Sequence, residues 1–330
     1  KLEVCPDQAM GLGLRIANQA SIDLIDDPNK LTELQAWLAK EELYIFTLNG
    51  FPYGGFHNTI VKDQVHAPDW TTQDRVNYTR RLIDLLVQLL PSDQHEGGIS
   101  TSPLSYKYWW DQRGAAISQA TMELLKLVPY LAQTEQKTGK WIHIDIEPEP
   151  DGLLSNHTEF VHWYEEVLLP SGDASLIRKH VQLCFDICHY GVSFDEPEAS
   201  IAELKSKNIP VGKIQISSAL RIDLRDQLAE TIPRPQFQRA VGLGGRAIGK
   251  IGMIFTFGLE RDQRFTAFPQ NFFLPAQQLA AQAVALLAGC WRGQGGGGRV
   301  WISVETLYSM DGDRAPLAGL ENRGYRPVRA

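Results

Sequence analysis

The chain has 330 residues, a formal net charge of -7 and a pI near 5.7. That is long enough for one large α/β domain or two ordinary ones, and too acidic overall for a broad nucleic-acid-binding surface. No apolar run approaches the roughly 20 residues of a membrane span, no signal peptide opens the chain, and four cysteines are too few for a disulfide scaffold, so a cytoplasmic protein is expected.

Lys1 is not an initiator methionine, so further sequence upstream is expected. Residues 11–17 (GLGLRIA) read as a strand, and Ser21 and Asp23 are candidate caps for an amphipathic helix over 28–39. Residues 43–50 (LYIFTLNG) form a second strand, continued by the Pro/Gly-rich aromatic loop 51–56. A Leu/Ile stripe predicts a helix over 72–90, then come a short strand at 98–103 and one long helix over 114–134. Residues 141–148 (WIHIDIEP) alternate strongly as a strand, followed by a helix at 158–169. The apolar run 181–186 (VQLCFD) delivers Asp186 at its end, with His189 three residues on; a helix at 197–205 and a strand at 212–217 (GKIQIS) follow.

Strand and helix alternating in this way specify a parallel sheet wrapped by helices, either doubly wound or closed as a (β/α)8 TIM barrel. The barrel is favoured because polar residues recur at strand after strand: Asn49, Ser102, Glu147, Asp186, Gln215 and Ser217. No GxGxxG opens a helix, and the Gly295 to Gly298 run lacks the Lys-Ser/Thr of a phosphate loop, so it reads as flexible chain. Glu147, Asp186, His189 and Gln215, from three successive strands, form the strongest constellation. Two carboxylates, an imidazole and an amide oxygen suit a divalent ion: Mn, Mg, Fe or Zn. Cys184 and Cys188 read as buried free thiols, and His143 and Asp145 as interior packing with His143 a reserve ligand. Asn49, Phe51 and Tyr53 could wall a substrate cleft.

The motifs DIEPEPDG, CFDICHYG and KIQISSALRI, with residues 43–70, resemble the metabolite-traffic family EboE, within the xylose isomerase-like sugar phosphate isomerase/epimerase TIM barrels. The resemblance covers residues 1–239. It implies a metal at the C-terminal mouth, with Glu147 and Asp186 as ligands and Gln215 where relatives place a His. It also implies His189 and Arg221 on substrate oxygens and Glu305 as a final carboxylate ligand and catalytic group. Asn49 and Tyr53 join the expected substrate contacts. A small-molecule metabolite is the expected partner, together with proteins of the same traffic system. The resemblance places a strand before Lys1, so the barrel is expected to lack its first strand.

The segment 240–330 departs from the pattern. Residues 230–330 hold 11 Arg and 1 Lys against 8 Arg and 12 Lys before them, and no His follows His189. This segment reads either as a diverged end of the same barrel or as a frame-disrupted one. The expected reaction is proton transfer through an enediolate by one carboxylate, Glu147 or Glu305, with His189 and Arg221 stabilising the oxyanion, in an isomerase or epimerase of a polyhydroxylated metabolite. A metabolite binder without turnover and a hydrolase of the endonuclease IV type are the alternatives; the missing His ligands and acidic pI weigh against the second.

Overall fold

A computed structural model describes residues 9–54, 62–193 and 195–215, and beyond them the backbone of four short strands. Six parallel strands run in sequence order: β1 (Met10–Leu14), β2 (Leu43–Asn49), β3 (Glu96–Thr101), β4 (Trp141–Ile146), β5 (Val181–Asp186) and β6 (Val211–Gln215). Of the short strands, β7 (Leu220–Arg221) pairs with β8 (Ile248–Gly249). In the main sheet β9 (Phe257–Gly258) lies antiparallel to β10 (Trp301–Ser303), which continues the sheet parallel to β6. Arg221 is therefore placed only as backbone, and Glu305 lies outside the described residues.

Alternation sorts the strands into two faces. Ile99, Ile142, Ile144, Ile146, Leu183, Phe185 and Ile214 enter the apolar core under the helices. Among these, α3 (Gln73–Leu89) buries Val76, Leu82, Ile83, Leu85, Leu86 and Leu89, each worth about 1.5–3 kcal/mol for a large aliphatic side chain. The opposite face carries Gly98, Ser100, His143, Asp145, Gln182, Cys184 and Lys213. Strands β3 and β6 are three positions apart, about 14 Å in a flat sheet, beyond the reach of one lysine. Lys213 Nζ nevertheless donates to Ser100 Oγ at 3.0 Å, so the sheet curls into a half-barrel whose concave side is polar.

Two bulges refine that concave side. Phe46 is the extra residue where β2 faces β1, and Gly212 is the extra residue where β6 faces β5. A bulge turns two successive residues to one face, which brings Gly212 and Lys213 inward together.

Several sequence expectations are corrected. An additional helix, α1 (Asn18–Asp26), contains Ser21 and Asp23; the next, α2 (Pro28–Lys40), is instead capped by Asp27, whose carboxylate accepts from Asn29 N at 3.1 Å, with Pro28 in its first turn. The single helix expected over 114–134 is two, α4 (Arg113–Leu125) and α5 (Leu127–Thr138). In a continuous helix Pro129 would orphan and clash with the Leu125 carbonyl, so the chain breaks at Lys126. The helix expected over 158–169 is α6 (His157–Trp163), continued by a π turn (Tyr164–Leu168). After α7 (Ala174–His180), β5 passes directly into α8 (Ile187–Ser193), and α9 (Pro197–Ser206) precedes β6.

Candidate metal and acid/base site

The polar face builds upward in layers. At its floor His143 Nδ1 lies 2.6 Å from Asp145 Oδ1, both buried, and His143 Nε2 lies 3.7 Å from Glu96. Glycines make room for this pair: a Cβ on Gly98 or on Gly212 would collide with both side chains. Burial by itself pushes the His143 imidazole down, and Lys213 adds to that; Asp145 and Glu96 outweigh both, so its pKa is raised.

That shift carries a pH signature. The folded-state pKa exceeds the unfolded value of about 6.5, so the stabilisation is full below that value and is lost as pH rises through the folded pKa. The melting temperature of the wild type is expected to fall relative to His143→Gln as pH is raised from 6 to 9. Parallel curves for the two proteins would remove His143 as the titrating group.

Above the floor sit Ser100, Gln182, Lys213, Cys184 and Glu147. Cys184 Sγ faces Glu147 Oε2 at 3.9 Å. Burial, then Glu147, push the Cys184 thiol well up, which keeps it a neutral thiol. Cys184 and Cys188 are both buried and free of disulfides, as their setting in the sequence predicts. Ser102 has a buried hydroxyl with no hydrogen-bond partner among the described residues.

The mouth is organised on His189. Glu147 Oε1 lies 3.5 Å from its Nδ1, while Glu149 Oε2 and Asp186 Oδ2 each lie 3.7 Å from its Nε2. Nδ1 donates to the Pro148 carbonyl at 3.0 Å. A carbonyl can only accept, so this bond fixes the tautomer and leaves the Nε2 lone pair of the neutral ring toward Asp186 and Glu149. Asp186 also accepts from Cys188 N at 2.9 Å, and Gln215 Nε2 donates to its Oδ2 at 3.2 Å. The strand-end carboxylate is thereby both a turn cap and a member of the cluster. Glu147, Asp186, His189 and Gln215 are each at most 5% exposed, so their charge is concentrated where water screens it little.

The structure thus brings together the four residues of the expected constellation. It places Gln215 as a donor holding Asp186, rather than with its amide oxygen forward. Asn49 accepts from Phe51 N at 3.0 Å and shapes the exit of β2. Tyr53 packs edge-on against Tyr78 of α3, with ring centroids 5.0 Å apart. Of the expected substrate contacts among the described side chains, His189 is the one inside the cluster.

Three further residues belong to the site. Glu149 bridges His189 to His66, whose Nε2 is 3.4 Å from Glu149 Oε1. His66 is buried among Phe51, Tyr106 and Trp109, with ring centroids at 5.2, 5.4 and 6.3 Å. Lys213 is the third. Glu149 lies in the acidic exit of β4 and Lys213 shares parity with Gln215, both legible in the sequence, whereas His66 ends a short 3-10 turn (Lys62–His66) with no spacing signal.

The donor set suits a divalent cation. Ligand atoms of Asp186, Cys188 and His189 all lie within 4.8 Å of one another, and Glu147 adjoins them through His189. Burying several carboxylates together costs several kcal/mol each unless cations or protons compensate. Glu147, Asp186 and His189 Nε2 offer hard oxygen and imidazole donors of the kind Mn, Fe, Zn or Mg accept. No helix among the described residues is long and apolar enough to cross a membrane.

No protein-family model matches the sequence, and no curated protein does. Among solved structures, the chain is similar to the probable 3-DHS dehydratase AsbF of petrobactin synthesis from Bacillus anthracis, at 13% identity over 72% of each chain with a TM-score of 0.39. It is likewise similar to the IOLI protein with a binding zinc atom (14% identity, 62% of each chain, TM-score 0.39). A D-tagatose 3-epimerase-like protein matches at 13% identity over 62% of this chain and 73% of its own, with the same TM-score. Likeness this distant leaves the chemistry of this chain to be argued from its own residues.

Proposed function

We propose that the mouth of the half-barrel holds one divalent cation on Glu147, Asp186 and His189, in an isomerase or epimerase of a small polyhydroxylated metabolite. The observation that carries this is the convergence of three carboxylates on one tautomer-fixed imidazole in a nearly buried mouth. Bound there, the ion supplies polarisation of a substrate carbonyl and its neighbouring hydroxyl.

The protein's own groups do the rest. Gln215 and the Cys188 amide hold Asp186 in place. Glu149, between His66 and His189, is the carboxylate set to take a proton from carbon and return it. His66, gripped by three aromatic rings, keeps Glu149 in that position. Arg221 and Glu305, expected from the family resemblance, would join from residues that follow β6. In this reading residues 1–239 are the body of a TIM barrel and 240–330 contribute its end. The protein works in the cytoplasm within a metabolite-traffic system whose other proteins are its partners.

Elemental analysis of the exhaustively dialysed chain beside Asp186→Ala is the test. About one equivalent of Mn, Fe or Zn is expected in the wild type, and it should be lost in the variant. No metal in a wild type that melts cooperatively would sink the reading. With metal established, solvent deuterium should enter a substrate C–H position within a panel of sugars and sugar phosphates; its absence across the panel would favour binding without turnover.

A further inference from the structure

We propose that Cys188 is a further ligand of the ion at the mouth, and that its sulfur selects zinc over manganese and magnesium. The proposal rests on the metal-binding reading above and adds to it a fourth donor and a choice among the cations.

Cys188 enters the cluster through the way β5 ends. The strand passes directly into α8, so Asp186 is its last residue and Cys188 and His189 lie in the first turn of the helix. Asp186 Oδ1 accepts from Cys188 N at 2.9 Å, which holds the cysteine backbone against the carboxylate, while Asp186 Oδ2 faces His189 Nε2 at 3.7 Å. The ligand atoms of all three residues lie within 4.8 Å of one another. Two donors on opposite sides of one ion, each bonded at about 2.0–2.3 Å, are about 4–4.6 Å apart. The three donors are therefore close to the spacing that a single ion requires.

The chemistry of sulfur then decides among the cations. Asp186, Cys188 and His189 are all buried, and Cys188 is in no disulfide. As the sulfur–metal bond forms, the thiol gives its proton to solvent, and the ligand is the thiolate. Carboxylates and an imidazole alone accept manganese, iron, zinc or magnesium, whereas a soft thiolate suits zinc and is a poor partner for magnesium and manganese. The other buried thiol, Cys184, faces Glu147 at 3.9 Å and lies outside the three-residue set. It serves as the control within the same site.

The experiment loads the purified, metal-stripped full chain with Co2+, whose thiolate complexes show a near-ultraviolet sulfur-to-metal charge-transfer band that oxygen and nitrogen ligands alone do not give. Wild type, Cys188→Ser, Asp186→Ala and a triple variant (Cys5→Ser, Cys184→Ser and Cys290→Ser together) are compared, each with its thermal melt. Wild type and the triple variant, which keeps Cys188 alone of the four cysteines, are expected to show the band. Cys188→Ser should bind cobalt without it, and in competition between Zn2+ and Mn2+ should lose at least about tenfold of the wild-type preference for zinc. Cobalt bound by wild type with no band overturns the proposal while leaving the metal site standing. So does a band that survives in Cys188→Ser or vanishes from a folded triple variant. Each cysteine variant assigns the band by itself, so a failure of one to fold leaves the other to decide. A folded wild type that binds no more Co2+ than Asp186→Ala removes the metal site itself, and the proposal with it.

Discussion

Gly212→Ala is expected to lower the melting temperature by roughly 10 °C. A Cβ at Gly212 would lie 2.6 Å from His143 Nδ1 and 2.8 Å from Gln182 Oε1, and closer still to Asp145. Real Cβ atoms do not approach other atoms so closely, and none of these neighbours can swing aside into solvent. His143 and Asp145 are buried and bonded to each other, and Gln182 Nε2 is engaged by the Lys179 carbonyl at 2.9 Å. Relief must come from the backbone of the bulge, which would displace Lys213 and Gln215 from the face they share with Cys184 and Asp186. Overpacking with loss of a buried polar pair costs about 3 kcal/mol or more, and in a domain of this size each kcal/mol moves the melt by about 2–4 °C.

Gly114→Ala is the control. A Cβ there meets nothing within 4 Å and lies in the first turn of α4, so stability should hold or rise by a few tenths of a kcal/mol, roughly. If Gly212→Ala melts within about 2 °C of wild type, the packing of the floor layer is not as described.

The floor layer also shows where sequence reading succeeds and where it stops. Period-two alternation placed His143, Asp145 and Glu147 on one face of β4, and the registers of β3, β5 and β6 confirm that face as the concave one. The same alternation brought Asp186 and Gln215 together, because parallel neighbours at strand ends share a face. It could not show that Gly212 is a bulge: a glycine before Lys213 reads as an ordinary strand start. Nor could it find His66, which ends a short 3-10 turn and owes its place to Phe51, Tyr106, Trp109 and Glu149 rather than to any periodicity. Glu149 was readable as part of an acidic strand exit. Its role as the bridge between two histidines needed the third dimension. The break at Lys126 was available in the sequence, since Pro129 forbids a continuous helix there, and the apolar stripe across it concealed the signal.

Arg75→Met is expected to be nearly as damaging as Gly212→Ala, by a different route, and to reach the site from behind. Arg75 is fully buried in α3. Its Nε donates to the Pro68 carbonyl at 2.8 Å, and its Nη1 to the Gly50 and Phe51 carbonyls at 2.7 and 2.9 Å. Burial pushes the guanidinium down to about 10, so it stays charged at neutral pH. Two effects compete on its removal. Methionine relieves the cost of keeping a charge in the interior, but three carbonyls lose their donor, each worth about 1–3 kcal/mol when left buried and unsatisfied. The carbonyls should win, for a net loss of about 3 kcal/mol.

The consequence for the site follows from what those carbonyls belong to. Gly50 and Phe51 are the exit of β2, and the Phe51 ring packs on His66, which in turn faces Glu149. Releasing the exit should loosen the ring cluster of Phe51, His66, Tyr106 and Trp109, so the near-ultraviolet circular dichroism of the variant should weaken below its melting transition. Arg75→Lys supplies the charge but not the planar fork, and should recover less than half of the lost stability. A lysine variant as stable as wild type would mean that charge, rather than the three directed hydrogen bonds, is what the buried guanidinium contributes. A methionine variant with an unchanged aromatic spectrum would show that the His66 cluster stands without it.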